Sequence, residues 1–224
     1  MPRRPTGAAA APAKPGRRPG PKTLRTGPPS RQRSLSPRGC LVLVVGPSGA
    51  GKDSLIAAAK RKFRHDPSIA FPRRTITRPE SMGEDHVPVG IRDFERLDKS
   101  GAFLLSWRAH GLRYGIPVEV VDDLRAGHVV VVNISRDMVA AACSCWPRTR
   151  IVHVTVALDA LKARLEARGR ESADDIAGRL ARAARNKSPP EQATDVIDNS
   201  GHLPSAVRKF NALLAGYAEA RSKR

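Results

Sequence analysis

The first 38 residues contain no aspartate or glutamate, yet they hold ten of the 40 lysines and arginines in this 224-residue chain. They therefore carry +10 of the formal +19, which leaves +9 for the remainder. A folded region of that charge suits a protein that handles several phosphate groups, without any need for nucleic acid. Large apolar residues are also scarce at the start. The run PRRPTGAAAAPAKPGRRPGPKTLRTGPPS has too little to bury to offset its ordering entropy, so residues 1–38 read as a disordered basic arm. An inert tail is the expected reading, ahead of nonspecific RNA or DNA contact by the arm. Repeated proline opposes the amphipathic helix of an organelle transit peptide, and the apolar core of a secretory signal is missing. Nowhere does an apolar run approach the roughly 18 residues that a membrane helix needs, so no membrane partner is expected. Cysteine is sparse too: Cys40, Cys143 and Cys145 fit neither a disulfide framework nor a zinc pattern, which points to a reducing cytoplasm.

What the remainder does contain is an alternation of apolar runs and helical stretches. Strands are expected at Cys40 to Val45, Phe71 to Thr77, Phe103 to Ala109, His128 to Ile134, Arg150 to Val156 and Asp195 to Asp198. CLVLVV and HVVVVNI are almost wholly apolar, as strands covered on both faces should be. Between them, DSLIAAAKRKF predicts a helix, and PVEVVDDLRAG another, opened by Pro117 and closed by Gly127. LDALKARLEARG stops at Gly169, SADDIAGRLARAARN restarts with Ser172 as its cap, and LPSAVRKFNALLAGYAEA forms the last helix. The pattern predicts one α/β domain over residues 39–224, with a mostly parallel sheet between two helical layers.

A second absence lies at residue 53. GPSGAGKDS, from Gly46 to Ser54, fits the phosphate-binding loop G-x-x-x-x-G-K-[ST] except at the position that normally supplies a magnesium-binding hydroxyl, where Asp53 stands. Its context is right, with a buried strand before it and a helix after it. Gly46, Gly49 and Gly51, with Pro47, Ser48 and Ala50 between them, let backbone N–H groups turn inward on phosphate oxygens, and Lys52 reaches the β/γ-phosphates. A carboxylate is a hard oxygen ligand, so Asp53 either holds the metal or marks a site that has lost catalysis. Ser54 is no simple substitute, because one residue along a helix rotates the side chain by about 100°. Arg168 and Arg179 tip the choice toward catalysis. They flank a loop containing Gly169, over a lid region of about 166–180, and phosphoryl transfer needs cations around the moving group.

Taken together, these segments resemble the guanylate-kinase-like branch of P-loop kinases, and within it the ribose 1,5-bisphosphate phosphokinases of bacterial phosphonate catabolism. The motifs are GPSGAGKDS, RRTITRP followed by GEDH, LSWRAHGLRYGIP, VVVNISR, RLEARGRE with RLARAARN, and DNSGHL. The resemblance implies a three-layer P-loop kinase fold with a five-stranded sheet, an acceptor region over about 72–116 and a helical lid. It implies ATP as donor and Mg2+ as its metal, with Asp53 as the metal-placing residue of that family. Guanylate kinases place a second arginine where this chain has Ser81, and they read guanine with an acid that LLSWRAHG lacks. The implied acceptor is therefore a sugar phosphate without a base, ribose 1,5-bisphosphate. The acceptor wall implied by these motifs comprises Arg74, Thr75, Thr77, Arg78, Glu84, His86, His110 and Tyr114, with Asn133, Ser135 and Arg136 at a strand end. Arg73 and Arg113 add positive charge there. A guanylate or other nucleoside monophosphate kinase is the alternative enzyme, and an inactive guanylate-kinase-like binding module the alternative of another class.

Overall fold

The central strand of the fold is also its first. In the computed structural model, which describes residues 38–79, 85–169, 172–185 and 188–222, β1 (Cys40–Val45) is buried along its whole length. It lies between β7 (Val129–Asn133) and β8 (Thr149–Thr155), and β2 (Ile69–Ala70) and β9 (Asp195–Asp198) extend the sheet to the order β2-β7-β1-β8-β9. Every pairing in this five-stranded sheet is parallel. A parallel sheet needs cover on both faces, which is why β1 and β7 are continuous Val/Leu runs rather than alternating ones.

Side chains alternate between those faces. Val42, Val44, Val152 and Val154 pack with helices α1 (Lys52–Lys62), α5 (Leu158–Arg168), α6 (Ala173–Arg185) and α7 (Leu203–Ser222), through Leu55, Leu161, Leu165 and Phe210. Leu41, Leu43, Val45 and Ile151 face the other way, toward α3 (Val120–Arg125) and α4 (Val139–Cys145). This is the three-layer α/β/α arrangement expected from the sequence.

The stretch expected to bind the acceptor holds a separate four-stranded sheet, ordered β4-β3-β6-β5: β3 (Arg74–Ile76), β4 (His86–Pro88), β5 (Phe103–Ala109) and β6 (Leu112–Pro117). One expected strand, Phe71 to Thr77, is shorter than predicted, and β4 and β6 were not expected. Pro117 does not open a helix; it ends β6 opposite Phe103, and α3 starts at Val120. A proline at a strand end loses no ladder bond, so the residue signals either element. Helix α2 (Ile91–Lys99) went unpredicted because it buries only Phe94, whose ring meets Phe103 at 4.8 Å. His110 and Gly111, both at positive φ, make the two-residue turn of the β5–β6 hairpin. The expected arm lies outside the described residues, apart from Arg38, whose carbonyl accepts from Arg148.

Candidate active site

The phosphate loop is shaped by contacts that leave no room for side chains. At Gly46 (φ 146) a Cβ would stand 2.2 Å from the Val154 carbonyl oxygen, and at Gly51 (φ 88) it would meet the Asn199 amide nitrogen at 2.4 Å. Asn199 is the residue that sequence reasoning missed. Its backbone N–H donates to Thr155 and its Nδ2 to the Ala50 carbonyl at 2.7 Å, so the end of β9 braces the loop from 149 residues away. DNSGHL was noticed as a motif, but a single amide after a short strand carries no spacing signal of its own.

Lys52 opens α1 and donates from Nζ to the carbonyls of Gly46 at 2.8 Å and Pro47 at 2.9 Å, which sets its ammonium inside the loop. Asp53, one residue on, faces away from Ser54. Ser54 lines a groove between α1 and α7 with Leu203 and Val207, whereas Asp53 lines a cleft with Ile56, Ala57 and Lys60 of α1, and with Arg74, Asp85 and Asn133. The rotation expected along the helix is thus seen.

Three side chains converge at the loop end of that cleft. Asn133, last residue of β7, donates Nδ2–H to Asp53 Oδ1 at 2.7 Å. Arg74, first residue of β3, donates Nη1–H to the Asn133 carbonyl at 3.0 Å and holds Nη2 3.7 Å from the same carboxylate oxygen. Its guanidinium also lies over the Tyr114 ring at 5.7 Å, and Tyr114 stacks on Trp107 at 5.2 Å. Arg74 is therefore aimed by charge, backbone and aromatic contact together, from the small sheet toward the phosphate loop.

Strand alternation separates the other predicted residues. Arg74 and Tyr114 share the face toward the cleft; Thr75 is buried opposite Gly115 on the reverse face, toward Phe103. Thr77 spends its hydroxyl accepting the Arg113 N–H at 2.8 Å, and Arg113 pairs with Glu95 of α2 at 2.6 Å. That pairing holds the Glu95 carboxyl below its usual range, with the Arg113 hydrogen bond as the main cause. Thr75, Thr77 and Arg113 thus fasten the small sheet rather than line the cleft.

His86 was expected at the acceptor and is 1% exposed; its Nε2–H donates to the Arg78 carbonyl at 3.1 Å, bracing the chain around Arg78. His110 sits in the exposed hairpin turn. Ser135 precedes a 3-10 turn whose first residue, Arg136, donates to the Ser188 carbonyl at 2.7 Å. Glu84 and the Arg168 side chain lie outside the described residues. On α6, Arg179 is half-buried beside the Ile176, Leu180 and Ala183 stripe that packs on the phosphate-loop core. Ser172 caps that helix with a reciprocal bond to Asp175, which lowers the Asp175 carboxyl pKa.

Comparison with known proteins accords with this geometry. A model of the guanylate kinase family matches residues 38–216. The chain belongs to the guanylate kinase family. Within that family, it is similar to proteins named ribose 1,5-bisphosphate phosphokinase PhnN. One from Rhizobium etli is 44% identical over 180 residues, covering 80% of this chain and 91% of that one. Another, from Acidiphilium cryptum, is 50% identical over 176 residues, covering 79% and 92%. In fold, this guanylate kinase family member is similar to the crystal structure of guanylate kinase from Anaplasma phagocytophilum, with a TM-score of 0.61 at 19% identity, covering 81% of this chain and 87% of that one.

The residues present suit magnesium. Among the described residues no cluster of three or more acidic, histidine or cysteine side chains could cage a metal. A single carboxylate beside a phosphate loop is instead the donor set for an ion held mostly by phosphates and water.

Proposed function

We propose that this chain transfers the γ-phosphoryl group of ATP to the 1-phosphate of ribose 1,5-bisphosphate, forming 5-phospho-α-D-ribose 1-diphosphate and ADP in phosphonate catabolism. The observation that carries the reading is the cleft between α1 and the small sheet. Among the described residues that line it there are two acids, Asp53 and Asp85, both tied to cations, which does not suit the paired acceptors that the N–H edge of guanine needs. Kinship with the ribose 1,5-bisphosphate phosphokinases supports the same acceptor.

The chemistry follows from charge. An acceptor phosphate oxygen attacks the γ-phosphorus as the bond to the β-bridging oxygen breaks, and ADP leaves with that electron pair. The acceptor is already ionised, so no general base is required. Lys52 and the N–H groups of the loop hold the donor phosphates, and Arg74, with Arg78, orients the acceptor phosphate. Arg179, with Arg168, closes positive charge over the transferring group. Magnesium, when bound, neutralises donor phosphate charge; Asp53 would hold it, directly or through water. The cytoplasm is the proposed location, and residues 1–38 are proposed to be dispensable for turnover.

ADP release with ribose 1,5-bisphosphate and with GMP tests the reading. Turnover is expected with the sugar bisphosphate; brisk turnover of GMP alone would overturn it in favour of a nucleoside monophosphate kinase.

A further inference from the structure

The Asn199 contact fixes a direction within the phosphate loop. Its Nδ2–H holds the Ala50 carbonyl at 2.7 Å, in a buried position. The C=O and N–H of one trans peptide point in opposite directions, so the Gly51 N–H is turned away from Asn199 and into the loop. Ala50's own N–H turns back instead on the Pro47 carbonyl at 3.2 Å. Gly51 then opens α1 without a side-chain cap, so the N–H groups at the helix start take their aim from this peptide. Asn199 is itself held from two sides. Its N–H donates to the Thr155 carbonyl at 2.9 Å, and its carbonyl accepts Arg164 Nη2–H at 2.6 Å. The same Arg164 nitrogen lies 3.3 Å from the Gly201 carbonyl, so an arginine of α5 seats the turn that carries Asn199.

We infer that Asn199 is a positioning residue for the ATP donor: it aims the Gly51 N–H at the donor phosphates, and Arg164 keeps Asn199 in place. The inference rests on the reading of GPSGAGKDS as the ATP site and holds whichever acceptor is used. The other half of the amide shows why an asparagine is needed. Asn199 is buried, and its Oδ1 has no hydrogen-bond partner among the described residues. A buried acceptor without a partner is costly, and leucine would fill nearly the same volume without that cost. The side chain is therefore useful for the N–H it donates, not for the space it fills. Its reach matters as well: a Cβ on Gly51 would meet Nδ2 at 2.4 Å, so the amide sits against the bare backbone of the loop.

Calorimetric titration of ATP into the full chain, without acceptor, tests this role. Asn199→Leu is expected to weaken ATP binding about fivefold to a hundredfold, because the Ala50 carbonyl loses its donor. Asn199→Asp should weaken it further, since a carboxylate would face both that carbonyl and the donor phosphates. In steady-state assays with ribose 1,5-bisphosphate, Asn199→Leu should raise KM for ATP and leave KM for the acceptor within about twofold of wild type. ATP affinity equal to wild type would overturn the inference, as would equal rises in both KM values. Arg164→Met, at a half-buried position, decides the matter if the Asn199 variants do not fold. It is expected to weaken ATP binding about threefold to tenfold, with Arg164→Lys, which keeps a donor, recovering most of the loss; unchanged affinity in Arg164→Met would count against the role. If wild type binds ATP in an Asn199-dependent way but turns over no ribose 1,5-bisphosphate, the acceptor reading fails and the positioning role stands.

Discussion

Replacing Asn133 with leucine isolates one contact between the end of β7 and the helix that leaves the phosphate loop. The substitution removes the amide that donates to Asp53 at 2.7 Å, but it leaves the backbone carbonyl that receives Arg74 at 3.0 Å. Leucine suits a buried position at the end of an apolar strand. A hydrogen bond to a charged group contributes about 1.5–3 kcal/mol, equivalent to roughly tenfold to 150-fold in a rate that depends on it. The Asp53 side chain is 44% exposed, so water replaces the lost donor and global stability should change by less than about 1 kcal/mol. What changes is aim, because Arg74 becomes the main partner of the carboxylate and turns it from the position set by β7. Asn133→Leu is therefore expected to lower kcat/KM with ribose 1,5-bisphosphate about tenfold to a hundredfold in an ADP-release assay, with an unchanged melting curve. Turnover within twofold of wild type would refute a positioning role for the Asn133 amide. A collapse of the melting curve would show instead that the residue serves the fold.

Two further outcomes follow from buried geometry. Gly51→Ala places a Cβ 2.4 Å from the Asn199 amide at a φ of 88°, so urea denaturation should show a loss of roughly 1–3 kcal/mol, accompanied by weaker ATP binding. His153 is fully buried, and neither ring nitrogen has a hydrogen-bond partner among the described residues; burial, then Arg136 and Lys52, pushes its pKa down. The folded protein thus resists the proton that the unfolded chain accepts near its usual value of about 6.5, and stability falls as pH drops below that point. His153→Leu removes this dependence, so the difference in urea midpoint between pH 7.5 and pH 5.5 should shrink relative to wild type; an identical difference would count against it.

Much of the scaffold was legible because it depends on strong local signals. Continuous valine runs announced β1 and β7, and the glycines around Lys52 announced the loop they lead into. The small sheet was harder to read. β4 is three residues long, α2 buries one aromatic ring, and Pro117 reads equally well as a helix opener or a strand end. Within the site, residue type was legible but facing was not. Arg74, Asn133 and Asp53 converge from three separate motifs, whereas Thr75, Thr77 and Arg113, from the same or neighbouring motifs, turn to the reverse face. That sorting depends on the register of β3 against β6, a long-range property that no single segment encodes. Asn199 was hidden for a related reason, since its partner is a backbone carbonyl far away in sequence.

That last contact also sets a timetable for the chain as it is made. The loop that would receive ATP is complete by residue 54, but its brace, Asn199, and both strands flanking β1 come later in synthesis. Contacts of such sequence separation form late, and the emerging N-terminal half must wait with an apolar central strand uncovered. A nascent chain stalled before β9 would carry the whole phosphate-loop motif and still lack a finished nucleotide site.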